Sequence, residues 1–475
     1  MRTKVVVPPE TASAAPVQVF SAPWVLPVVR PPIRDGAVAV DAGGTIVAVG
    51  PRADVLGGLG FHDELEVRCE GALVPGLVNA HTHLELSWLS GAVPGGDGVI
   101  AWTRRLVEKV TAARATKDAT TTENSRFAAA VAAAHAARAL GTAALGDVGN
   151  GILGWRAMAH ARLRGLFFHE LVGSREHRTG DALADAAAER ATVLEPELAG
   201  ATPTIPAVPA PHAPYSVGPD LIRRIFAAAA AAGLPTTIHL AEDPDEVALL
   251  ADGSGGWPEV LRAMGVDPGE RAPRLGPCAY LAGLGAFGAS DGAAAPPPLL
   301  VHMVCAGPGD RRRAREAGAT VVLCPRSNLH IGGRLPDVAA LIEEGVALAL
   351  GTDSLASAPD LSLWAEMRAL AAAFPEVPPR RWLEAATDGG ARALGLGSTL
   401  GALDVGRRPG LVCVDARIAP GEPQPERALI ANAEPSAIRW LALAGAEPSA
   451  HAPTSAGPSP VVAPWPGPYS PSLSP

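Results

Sequence analysis

Two histidines separated by a single residue follow an apolar segment in the sequence Pro75-Gly-Leu-Val-Asn-Ala-His81-Thr-His83. Alternate residues of a β-strand point to the same face, so these two imidazoles could bind one metal ion. An isolated His-x-His pair is a weak indication, because two histidines in an alternating strand are more often ordinary half-buried side chains. The pair alone therefore leaves a metal site and two structural histidines as alternatives.

Three more apolar segments also end in ionisable residues. They are Pro235-Thr-Thr-Ile-His239-Leu-Ala-Glu242, Leu299-Leu-Val-His302 and Val346-Ala-Leu-Ala-Leu-Gly-Thr-Asp353. For any one of them, a polar group exposed to solvent at a strand end is the simpler explanation. Four separate segments ending in His or Asp make coincidence a poor explanation, and their nitrogen and carboxylate atoms suit Zn²⁺.

The elements that must position these residues alternate in type between about residues 73 and 399. Short apolar strands are separated by longer Ala-rich segments, such as 126–140 and 221–232, that are typical of helices. Eight strands are predicted, ending near His83, Asp147, Glu170, Ala210, Leu240, Val304, Cys324 and Asp353. This pattern predicts an α/β fold, a (β/α)8 TIM barrel, whose active site lies at the carboxyl ends of the strands.

Both ends of the chain have strand character. Gly36-Ala-Val-Ala-Val40 and Thr45-Ile-Val-Ala-Val49 flank a turn-forming Asp-Ala-Gly-Gly and predict a hairpin, and segments 410–415 and 437–443 are similar. We expect residues 1–72 and 400–445 to combine into one small β domain beside a barrel at 73–399. The Pro- and Ser-rich tail, 446–475, is predicted to be disordered.

The composition limits the class of protein. The chain has 475 residues, 48% of them hydrophobic, and a net charge of -9, so nothing suggests a nucleic-acid binder. No apolar run approaches the roughly 18–20 residues that cross a bilayer, so a cytoplasmic protein with no membrane partner is expected. Five scattered cysteines without a Cys-x-x-Cys pair indicate neither a disulfide framework nor a thiolate zinc site.

Taken together, the His81-Thr-His83, His239-x-x-Glu242, His302 and Gly351-Thr-Asp353 segments resemble the amidohydrolase superfamily, in its deaminase and chlorohydrolase branch. The resemblance covers about residues 20 to 445. It implies a metal-bearing barrel with a composite β-sandwich built from both chain ends. The segments 210–215 and 324–328 are similar to aminofutalosine deaminases and related adenosine-type deaminases.

The number of metal ions follows from the lysines. Many binuclear members of the superfamily bridge two ions with a carboxylated lysine on a middle strand, and this chain has no lysine after Lys117. One Zn²⁺ per chain is therefore expected, with Fe²⁺ left open. Glu170 is the alternative, since it could recruit a second ion; otherwise it is a carboxylate at the rim of the site.

The resemblance also implies roles. Four residues are the expected metal ligands: His81, His83, His239 and Asp353. Zinc would leave a position for water, whose pKa falls to about 7. Glu242 would protonate a ring nitrogen of the substrate, and Asp353 would pass a proton from the water to the departing ammonia. His302 would orient the water, with a fifth metal ligand as the alternative.

Four further residues are candidates for substrate binding, each with a structural alternative. His212 matches a substrate-contacting position or caps its loop, and Glu85 binds ribose hydroxyls or forms a salt bridge. Trp88 either forms an aromatic wall for a purine or packs against other side chains of the protein. Arg326 binds a substrate carboxylate, or pairs with an Asp or Glu of the rim.

The expected function is therefore a hydrolytic deaminase that acts on the 6-amino group of an adenine-type nucleoside. The favoured substrate is aminofutalosine, in menaquinone biosynthesis, and a homodimer is left open. A chlorohydrolase or aminohydrolase of a triazine, guanine or another cyclic amidine is the first alternative. A cyclic amide hydrolase resembling imidazolonepropionase is the second, and a scaffold that has lost catalysis is the non-enzyme alternative.

Overall fold

The structure is a computed structural model, and it describes residues 17–59, 66–115, 119–173, 183–188, 205–263, 267–287 and 296–442. The predicted disordered tail at 446–475 lies outside these ranges. The described strands are β1 Gln18–Val25, β2 Ile33–Val40, β3 Ile46–Pro51, β4 Glu66–Arg68, β5 Ala72–Pro75, β6 Leu77–Thr82, β7 Thr142–Gly149, β8 Arg164–Leu171, β9 Ala207–Pro211, β10 Thr237–Leu240, β11 Leu299–His302, β12 Thr320–Leu323, β13 Ala347–Leu350, β14 Leu411–Val414 and β15 Ile438–Ala442.

Helices separate most of these strands. The α-helices are Arg52–Leu59, Val99–Arg114, Ala119–Ala139, Leu153–His160, Pro219–Ala232, Pro244–Asp252, Trp257–Ala263, Pro277–Gly283, Pro308–Glu316, Pro325–Gly332, Val338–Glu343, Leu363–Ala373, Pro379–Glu384, Gly390–Ala393 and Pro425–Asn432, and residues 183–188 are also helical. None of the helices in the described part of the chain is long and apolar enough to span a membrane.

Eight parallel strands form two four-stranded sheets, β6-β7-β8-β9 and β10-β11-β12-β13. All eight residues of β7 are buried, which is the pattern of a parallel strand covered on both faces. Each strand ends within three residues of its predicted end. The prediction of alternating strands and helices in an α/β fold is confirmed.

Hydrogen bonds join the carboxyl ends of the two sheets at both edges. The backbone amides of Thr352 and Asp353, just after β13, donate to the His81 carbonyl of β6 at 3.0 and 3.1 Å. At the other edge, the His239 amide of β10 donates to the His212 carbonyl, just after β9, at 2.9 Å. The candidate residues of β6, β10 and β13 are thereby held at one end of the fold.

The chain ends share a seven-stranded sheet of order β15-β14-β5-β1-β2-β3, with β4 also paired to β1. Antiparallel pairing of β5 with β14 places Leu73 opposite Cys413 and joins the two ends of the chain. The predicted hairpin is β2-β3, with Val38 opposite Val49. The prediction that both ends form one β structure is confirmed, while the β-sandwich and the domain limits stay predictions.

Candidate active site

Three histidines converge at the carboxyl ends of β6 and β10. The Nε2 atoms of His81 and His239 lie 3.2 Å apart, and the rings of His81 and His83 are 4.9 Å apart. One ligand atom from each of the three residues falls within 4.8 Å of the others, a spacing at which they could hold a metal ion. The strand periodicity that the sequence predicted for His81 and His83 is what places both rings on one face.

Asp353 adds a carboxylate to this group from the loop after β13. Its Oδ1 lies 3.6 Å from His83 Nε2 and 3.9 Å from His81 Nε2. With bonds of about 2.0–2.1 Å, the ligand atoms of a four- or five-coordinate zinc site are separated by about 2.9–4.1 Å. The observed separations of 3.2 to 3.9 Å fall within this range.

The hydrogen bonds of His239 show that a metal ion suits these residues. Its Nδ1 donates to the His212 carbonyl at 3.0 Å, so the ring proton is on Nδ1 and Nε2 presents a lone pair to His81. A backbone carbonyl that fixes a histidine in this way is the usual outer partner of a metal ligand. The His239 Nε2 lone pair is therefore available to bind a cation between the rings.

Burial keeps the histidines of the cluster uncharged. Removal from water lowers the pKa of His81 well below its usual value and lowers the pKa of His83 and His239 to about 4. Repulsion from neighbouring histidines contributes to this lowering, while the Asp353 charge partly opposes it for the pKa of His83 and His239. At neutral pH the imidazoles are therefore in the form that binds a metal.

Glu242 and His302 face each other beside the cluster. Glu242 Oε1 lies 3.6 Å from His302 Nε2, and the His302 ring stacks on that of His239 with centroids 5.3 Å apart. Burial raises the pKa of Glu242 well above its usual value, and the nearby Asp353 charge raises it further. Burial also lowers the pKa of His302 to about 4.

Glu246 is a buried residue of this site that the sequence analysis missed. Its two carboxylate oxygens accept hydrogen bonds from the backbone amides of Ala241 and Glu242 at 2.8 and 2.9 Å. Glu246 lies in the helix Pro244–Asp252, and Asp243 caps this helix by accepting the Glu246 backbone amide. Ala241 has a left-handed backbone, with φ of 52°, which the Glu246 carboxylate stabilises. The sequence signal was Asp243-Pro-Asp-Glu246, the spacing of a capping box.

Comparison with known proteins identifies the family. The model of the amidohydrolase family matches residues 72–439, which include every residue of the cluster. The chain belongs to the amidohydrolase family. This amidohydrolase is therefore a hydrolase that acts on carbon–nitrogen bonds, in a family of metal-dependent enzymes with a fold of the TIM-barrel type.

Relatives of this amidohydrolase are deaminases. An aminodeoxyfutalosine deaminase from Deinococcus radiodurans is 31% identical over 377 residues, 74% of this chain and 81% of the relative. A 5-methylthioadenosine/S-adenosylhomocysteine deaminase from Halobacterium salinarum is 32% identical over 393 residues, which cover 81% of this chain and 80% of the relative. A crystal structure of an adenosine deaminase from Xanthomonas campestris with bound zinc is 27% identical, with a TM-score of 0.66 over 89% of this chain and 90% of that one.

A second group of possible ligands comprises Glu170, His212 and His239. In this amidohydrolase both nitrogens of His239 are already engaged, because Nδ1 donates to a carbonyl and Nε2 faces His81. Glu170 Oε1 lies 3.8 Å from His239 Nδ1, and its other oxygen accepts the Asn150 side-chain amide at 3.1 Å. One Glu170 oxygen is thus engaged by Asn150, and the number of metal ions stays a prediction.

Three of the predicted substrate residues make specific contacts in the structure. The His212 ring is 4.9 Å from that of His239, and its Nδ1 is hydrogen-bonded to the Ser216 hydroxyl at 2.6 Å. Glu85 accepts the backbone amide of Asn150 at 3.0 Å, so Asn150 connects it to Glu170. Trp88 is partly buried under the guanidinium of Arg126, 4.6 Å from the ring centre.

Arg326 lies in a different setting from the one expected of a substrate ligand. Its Nε donates to Glu366 at 2.6 Å, and its Nη2 donates to Asp360 at 2.7 Å. Glu366 is fully buried and also accepts the Arg326 backbone amide at 3.0 Å. Arg326 therefore forms an internal ion pair of the kind stated as its alternative, and its binding of a substrate carboxylate stays a prediction.

Replacing Arg326 by methionine separates these alternatives. We expect Arg326→Met to lower the free energy of unfolding by about 3–5 kcal/mol, because it leaves the buried Glu366 carboxylate without its cation. Chemical denaturation followed by circular dichroism measures the change. Arg380→Met is the matched control: Arg380 pairs with Glu384 on an exposed helix face, and its loss should cost less than about 1 kcal/mol. Unchanged stability with a raised KM would instead support a substrate-binding role.

Proposed function

We propose that this amidohydrolase is a metal-dependent hydrolytic deaminase that releases ammonia from the 6-amino group of an adenine-type nucleoside, with aminofutalosine as the favoured substrate. The observation that carries the proposal is the position of Glu242, a carboxyl whose side chain is 9% exposed, beside the histidine cluster and 3.6 Å from His302. Deamination of an adenine-type ring needs a proton at the ring nitrogen next to the attacked carbon. The deaminase relatives support the same reaction class.

One Zn²⁺ per chain is proposed to bind to His81, His83, His239 and Asp353. When bound, zinc supplies a water molecule whose pKa is lowered to about 7, so that a hydroxide is present at neutral pH. The zinc in the related adenosine deaminase structure supports this metal. The geometry of His239 supports a single ion, since neither of its nitrogens is left for a second one.

Two carboxyl groups divide the proton transfers. Burial raises the pKa of Glu242 well above its usual value, which favours the protonated carboxyl that donates to the substrate ring nitrogen. Burial opposes the ionisation of Asp353, but the nearby His83 and His302 and the Ser327 hydroxyl outweigh it and lower the pKa of Asp353. Asp353 is therefore the group that accepts a proton, which it returns to the departing ammonia.

The remaining roles concern orientation and substrate contact. His302 orients the attacking water and stabilises the tetrahedral intermediate. His212, adjacent to His239, contacts the substrate ring, Glu85 binds ribose hydroxyls, and Trp88 forms one wall of the pocket. For Glu85 the support is its connection through Asn150 to Glu170 at the rim of the histidine cluster.

The architecture proposed for this enzyme is a closed eight-stranded barrel at residues 73–399. Backbone hydrogen bonds at both edges of the two sheets support it. At one edge Thr352 and Asp353 donate to His81, and at the other edge His239 donates to His212. Residues 1–72 and 400–445 are proposed to form a β-sandwich domain beside the barrel. The sheet shared by β5 and β14 supports this division.

A substrate panel tests the proposed reaction. The purified zinc-loaded protein is assayed for ammonia release with aminofutalosine, 5-methylthioadenosine, S-adenosylhomocysteine, adenosine, guanine and a triazine. We expect release from the adenine-type nucleosides and the highest kcat/KM with aminofutalosine. Turnover of the triazine or guanine alone would contradict the proposal.

The relative from Halobacterium salinarum suggests a second candidate function for this chain, the deamination of 5-methylthioadenosine or S-adenosylhomocysteine, which the substrate panel also tests. Its identity to this chain, 32%, is similar to the 31% of the aminodeoxyfutalosine deaminase. The discriminating result is the ratio of kcat/KM for aminofutalosine to that for 5-methylthioadenosine. A ratio below one favours the second candidate.

A further inference from the structure

Two adjacent side chains of the helix Pro325–Gly332 reach two different residues of the candidate site. The Ser327 hydroxyl donates to Asp353 Oδ2 at 2.5 Å, and the Asn328 side-chain amide nitrogen lies 2.9 Å from His302 Nδ1. All four residues are buried. We propose that Ser327 and Asn328 are positioning residues, which hold Asp353 with one oxygen toward the histidines and His302 with its proton on Nε2.

Among the described residues, both hydroxyl donors to the Asp353 carboxylate bind the same oxygen. Oδ2 accepts the hydroxyls of Ser327 and Ser357, the latter at 3.0 Å. Oδ1 accepts no hydroxyl from these serines and faces His83 Nε2 at 3.6 Å. Since both donors bind the same oxygen, they fix the rotation of the carboxylate and leave Oδ1 for the metal or for a proton.

The partner of His302 Nδ1 decides where the ring carries its proton. The Asn328 amide is placed with its NH₂ group toward Nδ1, and an NH₂ group can only donate; in this arrangement Nδ1 accepts and the single proton of the neutral ring is on Nε2. That Nε2–H faces Glu242. A nitrogen that carries a proton has no lone pair for a metal, so His302 acts as a hydrogen-bond donor in the site and not as a fifth ligand.

The helix that carries the pair is anchored independently. Arg326, the preceding residue, binds Glu366 and Asp360 through its side chain and Glu366 again through its backbone amide. His302 and Asp353 both have left-handed backbones, with φ of 75° and 56°. Non-glycine residues keep such conformations only where the surroundings hold them, and the Ser327 and Asn328 contacts are part of that restraint.

The proton position on His302 is measured by ¹⁵N NMR of the histidine side chains in the zinc-loaded full chain, with His302→Gln used for assignment. We expect the proton on Nε2 in the wild type. In the nearly isosteric Asn328→Asp variant, whose carboxylate can only accept, we expect it on Nδ1. A wild-type proton on Nδ1, or the same proton position in both proteins, would overturn the assignment for Asn328.

Kinetics with the substrate found by the panel give a second readout. Asn328→Asp should lower kcat by about 10²-fold, and Ser327→Ala by about tenfold, with KM changed less than about twofold and one zinc per chain retained. Thr142→Val is the matched control, because this buried hydroxyl has no hydrogen-bond partner among the described residues; its kcat should not change. Unchanged kcat in Ser327→Ala would overturn the role of Ser327.

This inference rests on the proposed function only for its kinetic part. The NMR measurement needs no substrate, so the proton position on His302 is decided even if every nucleoside of the panel is inert. An inert panel with the proton on Nε2 would refute the proposed reaction and keep the assignment of Asn328. Ammonia release from the nucleosides together with a proton on Nδ1 would support the proposed reaction and refute the assignment of Asn328.

Discussion

Glu242→Gln is expected to retain one metal ion per chain and to lose at least about 10³-fold in kcat, because glutamine cannot protonate the ring nitrogen of the substrate. The substitution changes neither the size of the side chain nor the backbone amide that Glu246 accepts at 2.9 Å. The loss should therefore appear in turnover and not in folding. Ammonia release at saturating substrate and metal content by mass spectrometry are the two measurements.

The chain offers a matched control for this variant. Glu259 is an exposed glutamate of the nearby helix Trp257–Ala263, so Glu259→Gln makes the same chemical change away from the histidines. Its kcat should equal that of the wild type. A Glu242→Gln protein with near-normal turnover would refute the role of Glu242 as the proton donor and would leave the metal site intact.

The second large effect is expected from His239→Ala. The substitution removes one of the three converging imidazoles, and the remaining two histidines and Asp353 should bind the ion more weakly, so that the metal content after dialysis falls. Without the metal, the attacking water keeps a pKa near 15.7, so we expect turnover to fall by at least about 10³-fold. Metal content after dialysis and ammonia release measure the two consequences.

His135→Ala provides the histidine control. His135 is an exposed residue of the helix Ala119–Ala139, and its partner is His160, at 3.3 Å, far along the chain from the histidine cluster. We expect full metal content and full activity. If His239→Ala kept one ion per chain, the proposed ligand set would be wrong, whatever the activity of the variant.

The strand ends illustrate what can be predicted without a structure. Apolar segments followed by His83, Glu242, His302 and Asp353 predicted that these residues meet, because the carboxyl ends of parallel strands lie on one side of such a fold. The structure shows this convergence. The two ends of the chain were also predicted to share a β structure, and β5 pairs with β14 as expected.

Arg326 shows where such prediction stops. Its sequence neighbourhood left open a substrate carboxylate or a protein carboxylate, and its partners in the structure are Asp360 and Glu366, which lie 34 and 40 residues further along the chain. No local sequence pattern predicts this pairing, because Arg326, Asp360 and Glu366 lie in three separate segments of the chain. The choice between two carboxylates, one of a ligand and one of the protein, depends on distances between separate elements.

The sequence by itself determined the types of the reactive groups, their order and the end of the fold at which they meet, because strand periodicity and the direction of parallel strands are local properties. Only the tertiary structure decided which atoms face each other. His239 Nδ1 donates to a carbonyl, Asn328 faces His302, and Glu246 holds the backbone of Glu242. These contacts depend on hydrogen-bond distances of about 3 Å between side chains and loops, which residue spacing along the chain does not encode.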